Sequence, residues 1–176
     1  MLSLLQKRRS IRRFKSRPIE QEKVEALIEA LLRSPSSRNL DPWEFVVIDD
    51  QEMLQKVGQA KEHGSNFIAG APLAIAVIAD PQRCDVWIED CSIAAIILQL
   101  MAESLGLGSC WAQIRLRPHD AHTSAEDYLK ELLDLPRGCK VEAVIGIGYP
   151  DEQKAGHPVE SLQRDKVHWN RYGAER

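Results

Sequence analysis

Along this chain the apolar positions follow two different periods, and the period separates helices from strands. Val24, Leu27, Ile28, Leu31 and Leu32 recur three and four apart, which predicts a helix from about Glu20 with one apolar stripe. Acidic residues in its first turn suit the positive end of the helix dipole, and Ser34-Pro35 stops it. Trp43-Glu-Phe-Val-Val-Ile48 is aromatic and β-branched, the composition of a buried strand. A second amphipathic helix is expected over Gln51 to Lys61, and Gly64 and Gly70 bracket a turn before a strand at Leu73 to Ala79. The segment Val86 to Leu105 is the strongest helix and is apolar almost all round. Such a helix has to be covered on every side, by the sheet and by a second subunit. Strands at Ser109–Ile114 and Val141–Gly148 flank a helix whose start carries the capping pattern Thr123-x-x-Glu126. A polar tail of charged and aromatic residues ends the chain. Alternating helices and strands favour an α/β arrangement with helices on both faces of a sheet. Neither a repeat nor a linker divides the chain, so residues 1–176 are expected to form one domain.

At 176 residues the chain is long enough for a hydrophobic core without disulfides or metal. The formal net charge of -3 hides a local excess: Lys7, Arg8, Arg9, Arg12, Arg13, Lys15 and Arg17 share one acid-free stretch. Met1 to Leu5 is too short an apolar run for a secretory leader. Ile93 to Met101 is far shorter than the roughly 20 residues of a membrane span. Cys84, Cys91, Cys110 and Cys139 form no Cys-x-x-Cys pair. Reduced thiols are the simpler reading, and they point to a cytoplasmic protein with no membrane association.

Several stretches can carry chemistry. In Arg8-Arg9-Ser10-Ile11-Arg12, guanidinium forks match phosphate oxygens with paired charge-assisted hydrogen bonds. Taken alone the arm has three readings: a small phosphate compound, nucleic acid, or a solvated charged face. The nucleic-acid reading lacks interleaved aromatics and any known motif. The loop Pro35-Ser36-Ser37-Arg38-Asn39 can present amides and hydroxyls to a heteroatom ring, although such loops are commonly simple turns. Gly106-Leu-Gly-Ser-Cys-Trp111 has glycines after a helix and before a strand, the reverse of the Rossmann order. It can still bring bare backbone against a flat ligand. His119-Asp120-Ala-His122 has no further ligand to complete a metal shell and is read as a surface loop. No nucleophile elbow, P-loop or His-Glu-x-x-His motif is present.

In order, these pieces resemble the nitroreductase family of flavoenzymes. The resemblance is carried by Arg8-Arg-Ser-Ile-Arg-Arg-Phe14, Ser34-Pro-Ser-Ser-Arg-Asn-Leu-Asp-Pro-Trp43 and Gly70-Ala-Pro-Leu-Ala-Ile75. It continues through the helix beginning Asp90-Cys91, Gly106-Leu-Gly-Ser-Cys-Trp111, Val144-Ile-Gly-Ile-Gly-Tyr-Pro150 and Val167-His-Trp-Asn-Arg-Tyr172. The resemblance implies a three-layer α/β/α fold around a mixed, largely antiparallel sheet. It also implies a homodimer whose C-terminal tail wraps the partner, with flavin mononucleotide (FMN) bound at the subunit interface. Arg8, Arg9, Ser10 and Arg12 match positions that hold the phosphate, the ribityl chain and the polar edge of the flavin. Pro35, Ser36, Ser37 and Asn39 match the loop reaching the flavin from the other subunit. Trp111, Ala112 and Gln113 match the strand end under the ring, with the Gln113 amide at flavin N5, and Lys154 matches a second phosphate contact. His157 stands where many members have an arginine. Asp41 replaces a common glutamine, and Asn66 is the candidate for an asparagine before the second strand.

The resemblance implies an oxidoreductase that moves a hydride from NADH or NADPH through flavin N5 to an electron-poor small molecule, such as a nitroaromatic or a quinone, by a ping-pong cycle. The flavin does the chemistry, so no catalytic side chain and no metal are expected. A donor amide near N5, and Arg8 or Arg12 near the N1–C2 edge, would stabilise the anionic reduced form. Two alternatives stay open: an FMN-binding or flavin-modifying protein without turnover, and a nucleic-acid-associated domain using the basic arm.

Overall fold

A computed structural model describes residues 1–174. Four strands, β1 (Trp43–Ile48), β2 (Leu73–Ala79), β3 (Gly108–Gln113) and β4 (Lys140–Gly148), form one antiparallel sheet in the order β1-β2-β4-β3. β2 and β4 are central. Every residue of β2 is buried, which is why its sequence runs Leu-Ala-Ile-Ala-Val-Ile-Ala without polar alternation. Among the described residues, the isolated bridge between Ser10 and Ser109 is the one parallel bridge outside the named strands.

Alternation along the strands feeds two cores. Leu73, Ile75, Val77, Ala143, Ile145 and Ile147 meet α2 (Gln21–Leu32) and α4 (Trp87–Ser104) on one face. Ala74, Ala76, Ile78, Val141 and Val144 meet α3 (Gln51–Gly58) and α5 (Ala125–Leu132) on the other. Helices therefore cover both faces, the three-layer arrangement expected. Between β2 and β4 the register slips: Val77 pairs with Ala143 and Ile78 with Val141. Glu142 is the extra residue of that β-bulge.

Some local expectations need correction. α3 stops at Gly58 and not Lys61; glycine is a poor helix former, and a Cβ there would press against Ala69 at 3.0 Å. The cap of α5 is one residue later than predicted. Ser124 accepts from the Asp127 amide at 3.0 Å, because Asp120 already takes the Thr123 amide at 2.8 Å. Glu126 instead binds Lys130 and Lys140. A short helix that the sequence pattern did not announce, α1 (Leu2–Lys7), precedes the arm.

α4 is covered only in part. Its buried face includes Cys91, Ala94, Ala95, Leu98 and Ala102, whereas Ile93 and Ile96 remain 40% and 39% exposed. The tail is open as well: residues 157–173 are exposed, with Val159, Leu162, Val167, Trp169 and Tyr172 among them. No helix among the described residues is long and apolar enough to cross a membrane.

Candidate active site

The basic arm is stitched along the open edge of β3. Ile11 donates its amide to the Ser109 carbonyl at 3.0 Å, Lys15 to Tyr149 at 2.9 Å, and Asp151 back to Arg13 at 2.9 Å. Ile11 occupies the space above Gly108, where a Cβ would come within 2.8 Å of it. The bare backbone at Gly108 thus receives the protein's own arm.

The side chains of the arm do not share one face. Arg9 turns to the tail and donates to the Ala155 carbonyl. It lines a groove of ≈ 460 Å³ with Lys7, Glu103, Glu152 and Lys154. Arg8, Ser10 and Arg12 converge elsewhere, around Cys110. Burial pushes that thiol up, while Arg12, the Ser10 hydroxyl, Lys154 and Arg8 all pull it the other way. Lys154 donates to the Ser10 carbonyl at 2.8 Å and to Glu152 at 3.0 Å. The Glu152 carboxylate also accepts the amides of Arg12 at 2.6 Å and Arg13 at 3.2 Å. These donors hold its pKa down to about 2, the Arg12 amide foremost. The guanidiniums of Arg8 and Arg12 have no hydrogen bond or ion pair among the described residues. Two unpaired cations beside Lys154 make a seat for an anion with more than one charge.

The other end of the same edge presents backbone. The Ser109 carbonyl faces the arm, and the strand repeats every two residues, so Trp111 and Gln113 point their amides to that side as well. Ile114, by contrast, donates inward to the Glu142 carbonyl at 3.1 Å. From Ser109 to Gln113 the ledge runs about 13 Å at ~3.3 Å per residue. It is cationic at one end and offers an outward amide at the other. Ala112 is buried beneath it. The Gln113 side chain accepts from Trp111 Nε1 at 2.9 Å and donates to the Glu142 carboxyl at 3.3 Å.

The serine loop is at the opposite end of α4. Arg38, Asn39 and Asp41 all have left-handed backbone, with φ of 54°, 55° and 44°, a conformation that persists only where surroundings impose it. Ser36 and Asp41 impose it reciprocally: the Ser36 hydroxyl donates to the carboxylate at 2.6 Å and accepts the Asp41 amide at 3.0 Å. The Ser37 amide donates to buried Asp90 at 2.9 Å, and Arg38 pairs with Asp85. Pro35 and Asn39 are exposed, as are Asn66 and His157. The structure therefore gathers Arg8, Ser10, Arg12 and Lys154 at one end of the ledge and Trp111 to Gln113 at the other. Pro35, Ser36, Ser37 and Asn39 lie at the other end of α4 from the arm, their loop tied to Asp90 in the first turn of that helix and the arm to Glu103 in its last.

The model of the nitroreductase family matches residues 5–63 and 55–149. The chain belongs to the nitroreductase family. An FMN-dependent nitroreductase of Clostridium difficile R20291 has the same fold at a TM-score of 0.96 and 46% identity, covering 98% of this chain and 100% of that one. A candidate NADH dehydrogenase/NAD(P)H nitroreductase of Archaeoglobus fulgidus is 35% identical over 95% of both chains. The FMN reductase [NAD(P)H] of Bacillus subtilis is 28% identical over 85% of this chain and 66% of its own length.

Three acidic residues shape this region, and none of them was given a role from the sequence: Asp90, Glu142 and Glu152. One carried a visible signal, since Glu142 is a charge inside the otherwise apolar run Val141 to Ile147. Among the described residues no group of His, Cys, Asp and Glu is arranged to hold a metal.

Proposed function

We propose that the chain is an FMN-dependent oxidoreductase working as a homodimer. It takes a hydride from NADH or NADPH and passes it to an electron-poor small molecule, a nitroaromatic, quinone or similar, in a ping-pong cycle. The observation that carries this reading is the ledge of β3, with unpaired Arg8 and Arg12 beside Lys154 at one end and the outward Gln113 amide at the other. A phosphate at one end of a flexible polyol and a flat heteroaromatic ring at the other match such a ledge in charge and order. Bound FMN supplies the hydride chemistry at N5; the protein's task is to hold and tune it.

Arg8, Arg12, Lys154 and the Ser10 hydroxyl hold the phosphate and ribityl chain, with Arg8 or Arg12 also placing positive charge near the N1–C2 edge. Arg9 serves by pinning the tail to the arm. Trp111, Ala112 and Gln113 support the ring, and the Gln113 amide meets N5. Pro35, Ser36, Ser37 and Asn39 come from the second copy. Asp90, which anchors that loop, and Glu103, which pairs with Lys7 of the arm at 3.4 Å, are thirteen residues apart in α4. At ~1.5 Å per residue that is about 20 Å along the helix, so two copies complete a site that one leaves divided. The open face of α4 at Ile93 and Ile96 and the apolar tail residues give the second copy something to cover. The whole of residues 1–176 acts as one unit. Four free, buried cysteines agree with a cytoplasmic setting; nucleic acid and membrane are not partners in this reading.

The test is the visible spectrum of the purified protein, followed by NADH or NADPH oxidation with a quinone acceptor. Flavin absorbance, bleaching on addition of reduced nicotinamide and steady turnover are expected. A protein that stays colourless after soaking in FMN would sink the reading.

A further inference from the structure

Glu142 is the bulged residue of β4. Its carbonyl accepts the amides of both Ile114 and Arg115, at 3.1 and 3.2 Å, so the bulge fixes the end of β3. Its carboxyl is only 4% exposed. One oxygen, Oε1, accepts from Gln113 Nε2 at 3.3 Å. The other, Oε2, is buried with no partner. A bulge that re-aims a side chain next to a site is a recurring device, and a buried carboxyl with an orphan oxygen calls for a role.

Resting on the reading that FMN sits against Gln113, we propose that Glu142 is a positioning residue whose buried carboxyl holds the Gln113 side chain and whose ionisation opposes electron uptake at the flavin. With FMN bound there, hydride transfer would move two electrons and one proton from NAD(P)H to N5, giving NAD(P)⁺ and one new negative charge on the ring. A neutral Glu142 leaves that charge unopposed across Gln113, whereas an ionised one places a like charge behind the same amide.

The groups that face Glu142 set which form prevails. Gln113 donates to it from β3 and favours the charged form, as does Arg115 just beyond. Glu89 and Cys91 come from α4; Glu89 favours the neutral form. β2 contributes only Val77 and Ile78 at the bulge. Burial is the dominant influence, and it pushes the carboxyl up.

The experiment is a pH series of the midpoint potential of bound FMN, beside thermal unfolding of the flavin-free protein, for wild type, Glu142→Gln and Arg115→Met. In the wild type the potential falls more steeply over the range where Glu142 ionises. Glu142→Gln removes that steeper segment, and Arg115→Met moves it to higher pH. Without flavin, the wild type loses stability as pH rises from the ordinary carboxylate range through the raised value, and Glu142→Gln flattens this slope. Parallel potential curves for wild type and Glu142→Gln in a yellow protein would overturn the role of Glu142 alone. A protein that never takes up FMN overturns the functional reading instead, and the stability slope still reports whether Glu142 is held neutral. Should Glu142→Gln fail to fold, an unmoved curve in Arg115→Met overturns the proposal by itself.

Discussion

The Ser37 amide and the Asp90 carboxylate are 53 residues apart in the chain and joined by one hydrogen bond of 2.9 Å. Asp90 lies in the first turn of α4 at 2% exposure, with the Cys84 thiol as its other partner at 3.4 Å. It ties a backbone with three left-handed residues to α4, the longest helix among the described residues. Removing the acceptor in Asp90→Ala leaves the half-buried Ser37 amide unsatisfied, at a cost of about 1 kcal/mol. Asp90→Asn keeps one acceptor oxygen and should retain most of that stability. Thermal unfolding of the two variants checks the order, and equal losses would mean that charge and not the Ser37 bond is what counts.

Arg8→Ala should weaken FMN retention by about 10–100-fold, the worth of a charge-assisted hydrogen bond of about 1.5–3 kcal/mol. Cys110→Ala, at the same spot, should leave reduction nearly intact, since the thiol is pushed away from its reactive form by burial. Fluorescence titration with FMN and steady-state turnover separate the two. The opposite pattern would show that the cations and the thiol have exchanged roles.

The elements that were legible in the sequence are those whose neighbours lie close in the chain or on both faces. β2 could be placed to the residue because a strand buried throughout has no polar position to blur its ends. α1 could not, because six residues are too few for periodicity to speak, and its order comes from contacts such as Lys7 to Glu103. The cap of α5 slipped by one since Thr123-x-x-Glu126 and Ser124-x-x-Asp127 are equivalent locally, and Asp120 decides between them. Within the site, the arm, the serine loop and the Gln113 strand end came from the family resemblance. The residues that fix them did not. Glu152 acts on Arg12 across 140 positions and Glu142 on Gln113 across 29, distances over which no sequence pattern links a carboxylate to its donor.

Glu152 predicts an acid limit. With its pKa held down to about 2, it contributes stability that is present above the ordinary carboxylate range and lost as pH falls through about 2. Glu152→Gln should shallow the acid limb of the stability profile and speed hydrogen exchange at the Arg12 and Arg13 amides at neutral pH. Unchanged exchange at both amides would show that the arm is held by the Ser109 and Tyr149 bonds alone.

Gly108 predicts a steric switch on the arm. A Cβ there meets the Ile11 Cβ at 2.8 Å, an atom at the root of the side chain that cannot swing aside. Gly108→Ala should therefore push the arm off β3, costing about 1–3 kcal/mol and part of the FMN affinity. Adding Ile11→Gly should recover part of the affinity, because it removes the obstructing atom. If the double variant binds FMN no better than Gly108→Ala, the arm's seat on β3 is not what orders Arg8 and Arg12.

Ile93 and Ile96 predict the behaviour of the assembly. In a twofold dimer each side chain is counted twice, so covering two isoleucines that are about 40% exposed contributes on the order of 1 kcal/mol for each buried side chain. Ile93→Glu with Ile96→Glu reverses that gain and forces four carboxylates into the contact, which should shift the protein to monomer in solution. The serine loop and the arm sit at opposite ends of α4, so a monomer holds only one half of each flavin contact set. The monomeric variant should lose bound FMN while keeping its fold by circular dichroism. Sedimentation and the visible spectrum, measured on the same sample, decide it: a folded monomer that stays yellow would mean that one chain alone builds the site.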